Sequence, residues 1–241
     1  MSEHVEPQNE VSVSQDMGLV KRIIGVFLSP SAVFAAVRQR PNWLVPAIII
    51  VLISLGQVHL MKPVIQKEQQ TRIIEKMEEK GVPQEQIDNT LEKSMKAMNY
   101  TIYPTVVIVT FINFLIGAAI WFFVGRTILG ADVKYAQMLG VNVYRYFITT
   151  LGGLIKLPII LAKQTLNVHF SLATFLPDAQ KETFLYKFLA QVEVFNIWSI
   201  AVLCIGIAVV TRTDVKKIWP WVVILFVLWY VVSIGVGSLV G

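Results

Sequence analysis

The sequence predicts an all-α integral membrane bundle of five transmembrane helices, with an N-terminal interfacial amphipathic segment and an extramembrane helical hairpin. Two observations predict it. The chain of 241 residues is 55% hydrophobic and only 15% charged, far from the quarter or so of charged residues in a soluble domain. The apolar residues also lie in blocks, at 43–61, 103–124, 139–162, 191–210 and 218–240, each near the 17 to 25 residues that a helix needs to cross hydrocarbon. Residues 18–241 then form one five-span domain. Residues 1–17 begin "MSEHVEPQNEVSVSQD", an acidic, polar run with no apolar centre, expected to be a disordered tail rather than a signal peptide.

Between tail and first span lies "GLVKRIIGVFLSPSAVFAAVRQRP". Leu19, Ile23, Val26 and Phe27 share one helical face beside Lys21 and Arg22. Ser29 and Pro30 signal a second helix start, the hydroxyl capping free amides, and this helix presents Val33, Phe34 and Val37 ahead of Arg38 and Arg40. The residues Lys21, Arg22, Phe27, Phe34, Arg38 and Arg40 are therefore expected to form a basic collar on the membrane surface; a plain cap over the end of the bundle is the competing reading.

Residues 62–100 separate the first two spans, and their charges nearly cancel. Ile65, Ile73 and Met77 recur at helical steps, as do Ile87, Leu91, Met95 and Met98. Gly81 suits a helix end and Pro83 the next start, so two helices should pack along their apolar stripes and project from the membrane. This hairpin is either a protein-binding surface or a spacer that prolongs two spans. Orientation rests on the two short basic loops, Arg126 to Lys134 and Arg212 to Lys217, which favour a cytoplasmic N-terminus and an outer C-terminus.

The third span contains "NVYRYFITTLGGLIK". Asn142, Arg145, Thr149, Gly152 and Lys156 are spaced by three or four residues and so stack on one helical face, while Val143, Phe147, Ile148, Leu151, Leu154 and Ile155 can face lipid. Charges at such depth need partners. Depth proposes Glu193, with Asn196 and Ser199 behind it on the fourth span, for Lys156, and Asn113 of the second span or a main-chain carbonyl for Arg145. The candidate polar cluster is Asn113, Asn142, Arg145, Thr149, Lys156, Glu193 and Asn196. It either pins the helices together, with Gly152 and Gly153 allowing close approach, or lines a cleft for an ion, small solute or lipid headgroup. The structural reading is favoured because no pair of broken-helix repeats is visible.

Chemistry is sparse. His4, His59 and His169 have no metal-ligand spacing, Cys204 is the single cysteine, and no nucleophile has a recognisable base. No cofactor, metal or nucleic acid is expected, and no enzymatic activity. Membrane lipids, a membrane protein of unspecified identity and a second copy of the chain are the candidate partners.

The segments "VFLSPSAVFAAVRQRPNWLVPAIII", "GRTILGADVKYAQMLGVNVYRY" and "FNIWSIAVLCIGIAVVTRTDVKK", with Pro158 ending the third span, resemble the bacterial branch of the Yip (Ypt/Rab-interacting protein) family. The resemblance runs from Gly18 to the end. It implies five spans in a bacterial inner membrane, cytoplasmic N-terminus, outer C-terminus and no catalytic residues. Eukaryotic relatives look like trafficking factors that bind prenylated GTPases, a role without a bacterial counterpart. A non-enzymatic adaptor or organiser binding proteins or lipids is the expected function, with a small transporter, channel or lipid-moving protein as the alternative.

Overall fold

The computed structural model describes residues 17–168, 170–172 and 183–240; the tail, His4, His169 and most of the loop before the fourth span lie outside them. The described residues form eight α-helices: α1 (Leu19–Leu28), α2 (Pro30–Gln39), α3 (Leu44–Glu79), α4 (Gln84–Phe123), α5 (Tyr135–Lys163), α6 (Phe184–Gln191), α7 (Val194–Thr211) and α8 (Val215–Val240). Five, α3, α4, α5, α7 and α8, are long and apolar enough to cross a membrane. Leu52, Ile112, Leu115, Leu228 and Val232 are exposed along them, the large apolar surface that hydrocarbon covers and water does not.

The collar belongs to the bundle more than to the lipid. Arg22 and Val26 are buried on α1, while Val20, Ile24 and Leu28 are exposed, so the lipid-facing side is not the face read from sequence. On α2, Val33, Phe34 and Val37 are fully buried because α2 packs on α7. Arg38 Nη1 donates to Val209 O at 3.2 Å, and Gln137 Nε2 donates to Arg38 O at 2.6 Å, tying α2 to both α7 and α5. Ser29 precedes α2 as expected, but its side chain makes no capping hydrogen bond.

The hairpin is not a separate element. Helix α3 runs from span into hairpin without a break and α4 returns the same way, meeting at Gly81, whose φ of 68° makes the turn. Ile73, Met77, Leu91 and Met95 are half-buried and Ile87 is buried on the packed pair α3 and α4, with the charged residues largely outside. Its root is held by His59 Nδ1 to the Tyr103 hydroxyl at 2.9 Å and Gln66 Nε2 to Asn99 Oδ1 at 3.0 Å. Glu68 Oε1 accepts from Leu166 N at 2.6 Å and Thr165 Oγ1 at 2.9 Å, binding α3 to the chain leaving α5.

Helix α5 is the centre of the bundle, packed against α3, α4 and α7 and, near its start, α1 and α2. Val143, Phe147 and Ile148 are consequently buried rather than lipid-facing; only Leu154 and Ile155, farther along, are exposed. Close approach is real: a Cβ on Gly152 would lie 2.7 Å from Phe195 of α7, and one on Gly153 2.8 Å from Gln57 of α3. Pro158 lies inside α5, which continues to Lys163, as membrane helices allow where neighbours re-satisfy the freed carbonyl.

The fourth span begins later than the expected residue 191. The helix is interrupted at Val192 and Glu193, where Glu193 bridges Ser171, Leu172 N donates to Val192 O and Val194 N donates to Phe170 O, both at 3.3 Å. This short bridge takes up backbone groups that a helix would otherwise use, separating α6 from α7.

Candidate functional site

Asn142 organises the polar stripe. Its side chain is fully buried, and Nδ2 donates to Phe114 O at 3.0 Å and Asn113 O at 3.3 Å. It fits because Gly117 is opposite: a Cβ there would come within 2.5 Å of that nitrogen. The Asn142 oxygen then accepts from Arg145 Nε at 2.8 Å, while Arg145 Nη1 donates to Ser199 Oγ on α7 at 3.0 Å. The partner foreseen for Arg145, Asn113, serves Asn142 instead through its carbonyl; its own amide donates to Val109 O within α4.

Arg145 is 8% exposed and makes no ion pair among the described residues; its guanidinium carbon lies 4.7 Å from the Tyr146 ring centre and 5.6 Å from that of Phe226. Neutral oxygens and aromatic faces thus hold a full positive charge. It lies ten residues into α5, about 15 Å along the helix at 1.5 Å rise per residue, inside the apolar block that begins near residue 139.

Beside it opens a cleft of about 500 Å³ walled by Asn113, Gly117 and Trp121 of α4, Arg145, Tyr146 and Thr149 of α5, Asn196 of α7, and Phe226, Trp229 and Tyr230 of α8. Trp121 stacks on Phe226 with ring centres 6.2 Å apart, joining α4 to α8 where both line the cleft. Leu228 and Trp229, both exposed, lie at its rim. Thr149 donates to Tyr146 O at 3.0 Å. Five of the seven cluster residues, Asn113, Asn142, Arg145, Thr149 and Asn196, thus lie in or directly behind one cleft.

The other two form a separate pair. Lys156 Nζ meets Glu193 Oε1 at 2.5 Å, with side chains 19% and 12% exposed, and that oxygen has no hydrogen-bond partner beyond this ion pair among the described residues. The aromatic walls, Tyr146, Phe226, Trp229 and Tyr230, were not among the sequence candidates. Tyr146 could have been, since it adjoins Arg145 in the same polar stretch; the α8 residues give no signal in a span that is apolar all round.

Of the collar residues, Lys21 and Arg40 are exposed, Phe27 and Arg38 half-buried, and Arg22 and Phe34 buried. Among the described residues no group of His, Cys, Asp and Glu is placed to hold a metal ion. What the cleft offers chemically is one fixed cation, a few neutral hydrogen-bonding groups, and aromatic and aliphatic walls. The family model described as the Yip1 domain matches residues 24–237. No curated protein and no solved structure matches the chain.

Proposed function

The chain belongs to the Yip1-domain family, and from that premise we propose that it is a non-enzymatic membrane organiser whose lateral cleft receives the anionic head of an amphiphile from the bilayer. The observation that carries this is Arg145, buried among membrane-spanning helices and held, among the described residues, by Asn142, Ser199 and aromatic rings without an acid. Intramembrane cations ordinarily pair with acids or line a pathway. A carboxylate or phosphate on an apolar tail would supply the missing charge while the tail lay against Phe226, Trp229 and Leu228. The hairpin at the far end of α3 and α4 would carry a protein partner.

Native mass spectrometry of the detergent-extracted protein tests the cleft. Wild type should retain an acidic amphiphile, and Arg145→Met should retain about tenfold less, since a charge-assisted hydrogen bond carries roughly 1.5–3 kcal/mol. Equal retention would sink the reading. The place of Arg145 inside a membrane span favours one second reading, a lipid-moving protein: lipid or ion flux in liposomes, abolished by Arg145→Met, would replace the organiser with it.

Orientation follows from the short basic loops. With a bacterial inner membrane and a cytoplasmic N-terminus, a cysteine introduced at Glu79 should label from outside intact cells and one at Lys216 should not. Outside labelling at 216 would reverse the topology.

A further inference from the structure

A second, independent site lies where the collar meets the first span. A cleft of about 580 Å³ opens between α1, the Arg40–Trp43 turn, the first turn of α3 and Tyr144 of α5. Arg22 is buried there, 5% exposed, yet its hydrogen bonds go to two main-chain carbonyls, Met17 O at 2.9 Å from Nε and Arg40 O at 3.1 Å from Nη1. A guanidinium has five N–H donors, so donors remain. The Arg40 side chain is exposed on the same cleft. Tyr144 is fully buried, and its hydroxyl has no hydrogen-bond partner in place among the described residues; the Arg22 guanidinium is near enough to act on it and to turn a donor toward it.

A buried hydroxyl without a partner is costly, and a buried guanidinium without an acid more so. Both line one cleft with a second arginine, and no acidic residue is among the described residues that line it. We infer that this cleft binds a phosphate group, with Arg22 and Arg40 supplying charge and the Tyr144 hydroxyl one donor. Phosphate oxygens match the guanidinium fork. Leu44 and Val45 on its rim are 52% and 51% exposed in the first turn of a span. The mouth therefore lies at the boundary between water and lipid, where the phosphate of an anionic lipid headgroup sits with its chains running down α3. A free phosphate would satisfy the same donors.

The test uses the full chain. Purified protein is equilibrated with vesicles of phosphatidylcholine containing phosphatidylglycerol, and retained lipids are counted by native mass spectrometry; in parallel, detergent-solubilised protein is heated with and without inorganic phosphate. Wild type should hold two phosphatidylglycerol molecules, one at Arg145 and one here. Tyr144→Phe removes a hydroxyl with no hydrogen-bond partner among the described residues, so it should fold at least as stably and weaken one of the two sites about tenfold. Arg40→Gln, at an exposed position, should do the same. Arg145→Met should lose the other lipid only, so the failure of one site is distinguishable from the failure of the other. Stabilisation by inorganic phosphate that vanishes in Tyr144→Phe would identify a free anion as the ligand; lipid retention without a phosphate response would identify the headgroup. Wild-type phosphatidylglycerol occupancy and phosphate response in both Tyr144→Phe and Arg40→Gln would overturn the site, as would a wild type that shows neither a second bound phosphatidylglycerol nor stabilisation by inorganic phosphate.

Discussion

Glu193→Gln lowers the thermal stability of the solubilised protein by about 3–5 kcal/mol, the usual cost of stranding one member of a buried ion pair. Lys156 and Glu193 are both less than a fifth exposed and 2.5 Å apart, so little solvent screens the charge left behind. Glu193 also stands at the residue before α7, where its carboxylate faces the positive end of the helix dipole. Lys156→Met should cost a similar amount by stranding Glu193. The double variant should recover part of both losses, because replacing the pair leaves no buried charge. Thermal unfolding of the four proteins in one detergent gives the coupling directly. Strictly additive losses would mean that the two charges do not meet in the folded bundle, and the helix interruption at Val192 would then need another anchor than this pair.

That pair was legible in the sequence because both its signals were local: a lysine and a glutamate, each near the end of its own span, with three- and four-residue spacing fixing their faces. The five spans were legible for the same reason, since an unbroken apolar block of that length fits a helix in hydrocarbon and little else. What the sequence withheld depends on which helix is central. Once α5 is surrounded on several sides, Phe147 and Ile148 leave the lipid face assigned to them by amphipathicity, and Arg145 finds Ser199 rather than Asn113. The same crowding turns Arg22 and Phe34 inward, so a stretch that reads as a surface collar becomes a wedge packed on α7. The boundary of α7 was withheld for a different reason: a bridge between Ser171 and Glu193 joins residues on either side of α6, and no periodicity within either segment announces it. The cleft walls from α8 were invisible because Phe226, Trp229 and Tyr230 belong to an apolar run in which lipid-facing and protein-facing aromatics look alike.

Asn142→Leu should destabilise the bundle by about 2–3 kcal/mol and empty the Arg145 cleft. The two side chains are similar in size, so packing changes little; what is lost is the oxygen that accepts from Arg145 Nε at 2.8 Å and the amide that reaches two carbonyls of α4. Those carbonyls lie within α4 and lose a secondary bond, a small cost. The guanidinium loses one of its two side-chain acceptors in a site 8% exposed, and an unsatisfied charged donor in such a place costs more than a neutral one. Freed from Asn142, Arg145 can also swing from the geometry that aims it across the cleft, so retention of an acidic amphiphile should fall together with stability. Asn142→Asp separates the two effects. It keeps an acceptor for Nε and neutralises Arg145 from within, at the cost of setting an oxygen where Nδ2 donates to the Phe114 and Asn113 carbonyls; the amphiphile should be displaced although the arginine stays bonded. Thermal unfolding and native mass spectrometry on the two variants decide between a cleft built for a ligand and a polar pin between helices. If Asn142→Asp keeps the wild-type complement of bound amphiphile, Arg145 is serving the fold alone, and the cleft beside it is only the space that α4 and α8 leave between them.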